Sequence, residues 1–216
     1  MPSLDSADIA ATPPPYWRRA RRHLIAADPV MAAIVRGVRG QTLRRREDAF
    51  LSLARAIIGQ QISVKAAESV WRKMAAAVGE ISPQAFARAG EATLRANGAT
   101  RQKSGYLVSL AAHFLDGSFD LAAWPDLDDE TVIAQLTVVK GIGRWTAEMF
   151  LIFHLLRPDV LPLGDIGVQR ALRDRYNGGN DLTVDEMRAL AEPWRPWRSV
   201  ASWYLWRSLD AVPVDR

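Results

Sequence analysis

Hydrophobic residues recur every three or four positions from Tyr16 almost to the C-terminus, with polar and charged residues between them. This spacing is typical of amphipathic helices, and the abundant alanine, leucine and arginine residues favour helix as well. Glycine and proline interrupt the pattern at intervals and separate one helical run from the next. The pattern predicts helices over residues 16–27, 47–58, 62–77, 100–116, 128–136, 143–155, 166–175, 183–192 and 197–209.

The alternating pattern of a β-strand is weak throughout the chain. The nearest candidate is Val160-Leu161-Pro162-Leu163, and its proline argues against a strand because proline cannot donate to a strand ladder. Residues 1–15 are small, polar and rich in proline, and three consecutive prolines cannot enter a helix interior. The sequence therefore predicts an all-α fold of about nine or ten helices, preceded by a mobile N-terminal tail.

The composition adds a basic bias to a core of ordinary size. Of the 216 residues, 49% are hydrophobic, which is enough to bury a sizeable core. The formal net charge is +4 and the pI is about 9.7, values that suit a polyanionic partner. Arginines cluster within 18–22 and 44–46, where they fit phosphate contact and an ordinary solvated helix face about equally well.

The residue content excludes several classes of site. The chain has no cysteine, so disulfides, thiolate metal sites and iron–sulfur clusters are excluded. Its three histidines lie far apart in sequence, which argues against a metal site built from side chains. No apolar run is long enough to cross a membrane, and the N-terminus does not resemble a signal peptide. We therefore expect a cytoplasmic, nucleoid-associated protein with no membrane partner.

A short glycine turn separates the helical runs 128–136 and 143–155. The turn reads Gly141-Ile142-Gly143, and its glycines permit tight conformations and the close approach of another backbone. Such a turn leaves backbone N–H groups exposed at a helix N-terminus, where a phosphate can bind. An ordinary helix–turn–helix corner is the better explanation of a bare Gly-x-Gly, so the flanking residues decide between the two.

Two polar residues are placed to begin helices. Asp165 lies just before the run 166–175, where its carboxylate is predicted to cap the helix by accepting the N–H of Val168. A cap also fixes where a carboxylate points, so capping and chemistry are compatible roles. Ser63, which follows a helix break at Gly59, is predicted to cap the next helix in the same way.

The residues around the glycine turn carry a family resemblance. The run Gly141-Ile-Gly-Arg-Trp-Thr-Ala147, preceded by Leu136, resembles the helix–hairpin–helix of the base-excision DNA glycosylases. Asp165 follows Trp145 by twenty residues, the spacing of the 3-methyladenine DNA glycosylase II branch, which the turn also resembles most. A second stretch, Ile57-Ile-Gly-Gln-Gln-Ile-Ser-Val-Lys-Ala-Ala67, is similar to a family segment too. The resemblance covers roughly residues 25 to 209.

The resemblance implies a helix–hairpin–helix glycosylase fold with two helical lobes around a DNA-binding cleft. The central lobe is expected over about 49–157 with the hairpin at 136–147, and the second lobe over about 16–48 and 158–216. Together they would form one glycosylase domain over 16–216, without the extra N-terminal α+β domain of the longer bacterial enzymes.

The resemblance also implies roles for individual side chains. Asp165 matches the catalytic acid, whose carboxylate stabilises positive charge on the sugar or orients water against C1′. Gln61 matches the residue that wedges into the base stack where the nucleotide is extruded. The residues expected to contact DNA are Gln60, Gln61, Lys140, Gly141, Ile142, Gly143, Arg144 and Thr146.

Four residues match positions of the base pocket. Trp145 and Trp206 would supply electron-rich aromatic faces, which attract a purine that alkylation has made cationic. Met149 and Ile166 stand where the family carries tyrosines, which predicts a wider or less stacking pocket.

The resemblance further bears on cofactors and on strand cleavage. Trp145 stands where bifunctional glycosylase/lyases carry a nucleophilic lysine, and Lys140 lies on the wrong side of the turn to replace it. No cofactor is required by the expected chemistry. A monovalent cation, sodium or potassium, is implied at the hairpin on the backbone carbonyls of Thr137, Val139 and Ile142.

The expected protein is a monomeric, monofunctional DNA glycosylase of base excision repair. It would flip and excise alkylated bases, 3-methyladenine and 7-methylguanine among them, from damaged double-stranded DNA. Two alternatives stay open at this point. One is a glycosylase for hypoxanthine, ethenoadenine or uracil, and the other is a non-catalytic, structure-specific DNA-binding protein.

Overall fold

The computed structural model describes residues 12–45 and 48–209; residues 1–11, which hold most of the predicted tail, lie outside the described part together with 46–47 and 210–216. None of the described residues forms a strand, which confirms the all-α prediction. A 3₁₀ turn follows α10. The helices are α1 (Trp17–Ala27), α2 (Pro29–Gly37), α3 (Ala49–Gly59), α4 (Val64–Val78), α5 (Pro83–Ala96), α6 (Arg101–Leu115), α7 (Asp129–Thr137), α8 (Arg144–Phe153), α9 (Ile166–Tyr176), α10 (Val184–Ala191) and α11 (Arg198–Leu209).

Two of these helices, α2 and α5, were not predicted. Both begin with a capping side chain followed by proline, Asp28-Pro29 and Ser82-Pro83. Proline suits the first helical position because its missing N–H has no partner there anyway. Within α5, Gly90 leaves the helical conformation (φ 67°, ψ 172°), so the chain kinks and the hydrophobic period breaks. The hydrophobic pattern therefore does not predict these two helices, although the capping residues at their starts indicate them.

The two predicted helix caps are confirmed. The Asp165 carboxylate accepts the backbone N–H of Val168 at 2.8 Å at the start of α9. The Ser63 hydroxyl accepts the N–H of Ala66 at 3.3 Å at the start of α4. Both caps are encoded within four consecutive residues, which is why local sequence is sufficient to predict them.

The described chain divides into two compact units. One unit takes in residues 48–150, and the other takes in 12–45 together with 151–209. The predicted lobes switch at about 49 and 157, whereas the second division falls inside α8. The last residues of α8 belong to the second unit, where the ring of Phe153 stacks on Trp206 at 5.6 Å.

Aromatic side chains form the core of the first unit. Phe50 on α3 makes edge contacts with Phe86 on α5 and with Phe114 on α6, at 5.2 and 5.4 Å between ring centroids. The buried ring of Trp124 makes a similar contact with Phe150 on α8. These contacts pack α3, α5 and α6 together and anchor α8, the helix that follows the glycine turn.

A buried carboxylate organises the second unit. Asp28 is 7% exposed, and one of its oxygens accepts the Tyr176 hydroxyl and the Trp194 indole N–H, both at 2.8 Å. Its other oxygen caps α2 by accepting the N–H groups of Val30 and Met31. Burial and the Asp28 carboxylate together raise the pKa of Tyr176 well above its ordinary value. Asp28 thus connects α2, α9 and the 3₁₀ turn.

Asp28→Ala is expected to lower the free energy of unfolding by about 3 kcal/mol, because it leaves buried donors of both Tyr176 and Trp194 without an acceptor. Urea denaturation followed by circular dichroism measures the change. Asp181→Ala, whose side chain is 96% exposed, should change stability by less than about 0.5 kcal/mol. Equal effects of the two substitutions would contradict the structural role of Asp28.

Candidate nucleic-acid interface and carboxylate site

The predicted hairpin lies between α7, which ends at Thr137, and α8, which begins at Arg144. Val139 and Ile142 are buried and anchor the turn to the first unit, and the Ile142 N–H donates to the Val139 carbonyl at 3.0 Å. The residues on the outside of the turn, Lys140 and Gly143, are exposed. The turn is therefore fixed on its inner side and accessible on its outer side.

Gly141 is required by two features of this turn. Its φ of +92° lies in the left-handed region that favours glycine. In addition, a Cβ at this position would overlap the ring of Tyr106, which projects from α6 and lies against the Gly141 backbone. The Tyr106 hydroxyl accepts the Gln102 amide at 2.6 Å, a contact one helical turn away on α6. Only glycine fits between the hairpin and this ring.

The N-terminus of α8 has the features of an anion site. Gly143 precedes the helix and brings no side chain to cap it, and a Cβ there would meet open space. The first N–H groups of a helix lack partners within the helix, and the helix dipole makes this end positive. The Thr146 side chain is buried at 3% exposure, so the contact predicted for Thr146 depends on its backbone N–H.

The two basic residues of the hairpin differ in their partners. Arg144 donates to Glu130 at the start of α7 at 2.9 Å and to Glu148 at 3.1 Å. The hydrogen bond with Arg144 lowers the pKa of the Glu130 carboxyl, and the pKa of Arg144 is raised in return. Lys140 is exposed and has no carboxylate partner within 48–209 or 12–45. Lys140 is thus available to a phosphate, whereas the exposed Arg144 is shared with Glu130 and Glu148 and ties α7 to α8.

A second turn, residues 60–63, joins α3 to α4 in the same unit. Gln61 is exposed and has a left-handed backbone (φ 58°), which costs a non-glycine residue about 1–2 kcal/mol. Gln60 is turned inward, and its side-chain amide donates to the Gly141 carbonyl at 2.8 Å. The structure therefore places the predicted wedge residue at the surface and connects its neighbour directly to the hairpin.

Lys103 on α6 holds the start of this turn through hydrogen bonds. Its ammonium donates to the carbonyls of Ile58 at 2.7 Å and Gln60 at 2.6 Å, at the C-terminal end of α3. Burial lowers the pKa of Lys103 from its ordinary value. Neither Lys103 nor Tyr106 was predicted as a site residue, because α6 carries no motif and both contacts join segments about 35 to 45 residues apart.

The predicted catalytic carboxylate lies in the second unit at the start of α9. One oxygen of Asp165 accepts two N–H groups, from the Val168 backbone at 2.8 Å and from the Trp206 indole at 2.7 Å. Two donors from different elements fix the plane of the carboxylate as well as its position. The structure thus brings together Asp165 and Trp206, which are 41 residues apart in sequence.

Gly167 makes this arrangement possible. A Cβ at Gly167 would lie 3.0 Å from the bonded Asp165 oxygen and 3.0 Å from Cδ1 of the Trp206 ring. Such distances are shorter than most ordinary contacts, so an added Cβ would require the carboxylate or the indole to shift by a few tenths of an ångström. Sequence reasoning missed Gly167 because it looks like an ordinary helix residue. The constraint on this position comes from the Trp206 ring on α11.

The four predicted pocket residues are distributed over both units. Trp145 and Met149 belong to the first unit, with 42% and 9% of their surfaces exposed. Ile166 and Trp206 belong to the second, with 80% and 3% exposed. The Trp206 ring stacks on Phe153, and its N–H is used by Asp165. The pocket role of these residues stays a prediction, whereas Trp206 has a defined partner in the carboxylate.

The carbonyls predicted to hold a monovalent cation come from the end of α7 and from the hairpin. Thr137 is the last residue of α7, where carbonyls lack N–H partners within the helix. The Val139 carbonyl accepts the Ile142 N–H and keeps a second lone pair. Carbonyl oxygens are ligands that hard cations prefer, so the residues fit such an ion. Among the described residues, no three His, Asp or Glu side chains converge on a possible metal site.

The hairpin and the Asp165 carboxylate both lie within a stretch that is shared with known proteins. Residues 54–196 match the family described as HhH-GPD superfamily base excision DNA repair protein, a range that includes both the hairpin and Asp165. The chain belongs to the HhH-GPD superfamily. The resemblance inferred from the hairpin and the spacing to Asp165 is thereby confirmed.

Several named proteins are similar to most of the chain. The putative DNA-3-methyladenine glycosylase YfjP of Bacillus subtilis is 28% identical over 90% of this chain and 71% of its own length. A DNA-3-methyladenine glycosidase structure from Bacillus halodurans has a TM-score of 0.80 at 31% identity, with 89% of each chain covered. The Schizosaccharomyces pombe enzyme Mag1 in complex with abasic DNA has a TM-score of 0.79 at 29% identity, covering 88% of this chain and 96% of that one.

The helices of this superfamily member also differ from membrane-spanning helices. Within the described residues, none is both long and apolar enough to pass through a membrane.

Proposed function

We propose that this chain is a monofunctional DNA glycosylase that excises alkylated bases, such as 3-methyladenine and 7-methylguanine, from double-stranded DNA as a monomer. The observation that carries the proposal is the Asp165 carboxylate, held by two N–H donors at the start of α9. The names of the relatives, 3-methyladenine DNA glycosylases from bacteria and fission yeast, support the choice of substrate.

The chemistry follows from the charge of the carboxylate. When the bond between C1′ and the base nitrogen breaks, the electron pair leaves with the base and the sugar becomes an oxocarbenium-like cation. A fixed carboxylate stabilises that cation better than it stabilises the neutral sugar, which lowers the barrier. Water then adds to C1′ and passes one proton to the surrounding solvent, which leaves an abasic sugar and the free base. Asp165 supplies the negative charge and orients the water.

The first unit is proposed to hold the DNA. The N–H groups at the start of α8 and the ammonium of Lys140 would bind a phosphate, while Gln61 would enter the base stack. A polar wedge can hydrogen-bond the base left without its partner. A monovalent cation on the hairpin carbonyls is part of the proposal and would add a positive charge facing the same phosphate.

Base selection is proposed to depend on charge more than on shape. Methylation at N3 or N7 makes a purine cationic, so an exposed aromatic face such as that of Trp145 attracts it. The same methylation makes the base a good leaving group, and no strong general acid is then needed. Met149 and Ile166 offer less stacking than aromatic residues would, which favours a broad range of alkylated bases.

The proposal excludes strand cleavage. A lyase needs an amine that attacks C1′ and forms a Schiff base. At the hairpin position of that amine this chain has Trp145, whose indole nitrogen is not a nucleophile. The expected product is therefore an abasic site in an intact strand.

Incubation with methylated duplex DNA tests the proposed function. Free 3-methyladenine and 7-methylguanine should be released, with no nicked strand and no adduct trapped by borohydride. Duplexes carrying a single uracil, hypoxanthine or ethenoadenine separate this specificity from that of other glycosylases. DNA binding without release of any base would instead favour a non-catalytic binding protein, and a trapped adduct would contradict the monofunctional mechanism.

Trp206→Phe tests the orientation of the carboxylate. Phenylalanine keeps an aromatic ring against Phe153 and removes the N–H that Asp165 accepts, together with part of the volume of the buried indole. The maximal rate of base release should fall about tenfold, the worth of a hydrogen bond to a charged group, while the affinity for damaged duplex stays within about twofold. Trp197→Phe, next to the start of α11 and without a hydrogen bond from its indole to the described residues, is the matched control.

A loss of affinity equal to the loss of rate in Trp206→Phe would instead assign Trp206 to base binding. No loss of either would show that the Trp206 N–H is not needed to orient the carboxylate. Single-turnover rates together with dissociation constants distinguish these results.

A further inference from the structure

Within the first unit, a closed ring of contacts joins the turn 60–63 to the hairpin. Lys103 bonds the Gln60 carbonyl, and the Gln60 amide bonds the Gly141 carbonyl. The Gly141 backbone lies against the aromatic ring of Tyr106. Tyr106 is itself on α6, three residues after Lys103. Each member thus contacts the next, and α6 closes the ring.

A movement of the turn would disrupt the contact with Lys103. The ammonium meets two carbonyls at the C-terminus of α3, the negative end of the helix dipole, so both charge and hydrogen bonding favour it there. If the turn moved outward, two carbonyls would lose a donor and a partly buried ammonium would lose its acceptors. The arrangement therefore resists displacement of the backbone on the N-terminal side of Gln61.

The hairpin is held by the same helix through packing. Lys103 and Tyr106 are three residues apart, so both project from one face of α6. The Tyr106 hydroxyl accepts the Gln102 amide, which limits rotation of the ring. Because the Tyr106 ring leaves no room beside Gly141, the hairpin cannot shift toward α6. A single helical turn of α6 thus sets the positions of both DNA-facing turns.

We propose that Lys103 is a positioning residue that couples the Gln61 turn to the hairpin, so that phosphate binding and insertion of the wedge occur as one event. This inference rests on the proposed function only in taking these two turns as the DNA contacts. Lys103 would act through Gln61, whose left-handed backbone lies directly after the carbonyl that Lys103 binds. Exposed lysines of the first unit would not share this effect.

The probes are two duplexes, one undamaged and one with a tetrahydrofuran abasic-site analogue, in which the wedge can replace the missing base. Lys103→Met should reduce the preference for the abasic duplex about tenfold, while affinity for the undamaged duplex stays within about twofold. Lys103→Arg, which can still donate to both carbonyls, should keep most of the preference. Lys73→Met removes an exposed lysine from α4 and is the matched control.

A double-mutant cycle shows whether Lys103 acts through the wedge. In a Gln61→Ala background, Lys103→Met should have no further effect on the preference for the abasic duplex. The inference is overturned if the tenfold effect persists in that background, if both duplexes lose affinity equally, or if Lys103→Met changes nothing. Equal binding of both duplexes by the unsubstituted protein overturns it as well.

Two further measurements keep the result independent of folding and of catalysis. Circular dichroism establishes that each variant is folded. If Lys103→Met is not folded, Gln60→Ala is used instead. This substitution removes the amide that bonds the Gly141 carbonyl, and it must give the same loss of preference for the abasic duplex. Release of 3-methyladenine is scored separately. A protein that prefers abasic DNA through Lys103 but releases no base would contradict the proposed function and leave the coupling intact.

Discussion

Asp165→Asn should slow base release by about 100- to 1,000-fold, the usual cost of removing one electrostatic stabiliser of a transition state. The substitution is informative because asparagine is itself a good helix cap. Its side-chain oxygen can still accept the N–H groups of Val168 and Trp206, which the carboxylate accepts now. The helix cap is retained, whereas the negative charge is lost and the second oxygen is replaced by an NH2 group.

The rate should be measured under single-turnover conditions on methylated duplex, together with the dissociation constant. Binding should be unchanged or slightly tighter, because a negative group is removed from a protein that binds a polyanion. Asp174→Asn, on the same helix and paired with Arg170 and Arg173, should keep the full rate. Full activity in Asp165→Asn would refute the proposed mechanism.

Gly141→Ala should damage stability and DNA binding together. The new Cβ would overlap the Tyr106 ring, and alanine disfavours the φ of +92°. Strain and overpacking of this kind cost about 2–5 kcal/mol of unfolding free energy. Because the hairpin must shift to relieve the overlap, its N–H groups lose their alignment, and affinity for duplex DNA should fall by more than about tenfold.

Gly143→Ala separates these two effects. A Cβ there would meet open space, so the free energy of unfolding should change by less than about 1 kcal/mol. If a phosphate does bind at the start of α8, the added methyl group would crowd it and weaken DNA binding. Gly37→Ala, at the end of α2 with no neighbour near its Cβ, serves as the control. Unchanged DNA binding in both hairpin variants would place the phosphate elsewhere.

The sequence predicted the features that are encoded locally. The glycine turn, the caps by Asp165 and Ser63 and most helices depend on residues within a few positions of each other, and the structure confirms them. The missed helices α2 and α5 were equally local, since a capping residue followed by proline begins each one. Capping residues and hydrophobic spacing taken together predict both α2 and α5.

Contacts between distant segments could not be predicted in this way. The need for Gly167 comes from a ring on α11, and the constraint on Gly141 comes from Tyr106 on α6. Lys103 looks like an ordinary surface lysine until its two carbonyl partners are seen. Such residues have no local pattern of their own, because their roles are set by whichever element packs against them.

The helix cap at Asp165, together with the catalytic role proposed for this residue, would limit how the lineage can lose base-excision activity. A residue that both caps a helix and carries the chemistry cannot drift to alanine or valine without also weakening α9. Asparagine, serine and threonine can take over the cap without the charge. A descendant that has given up catalysis but still binds DNA should therefore carry one of these three residues at this position, whereas a decaying gene would show no such restriction.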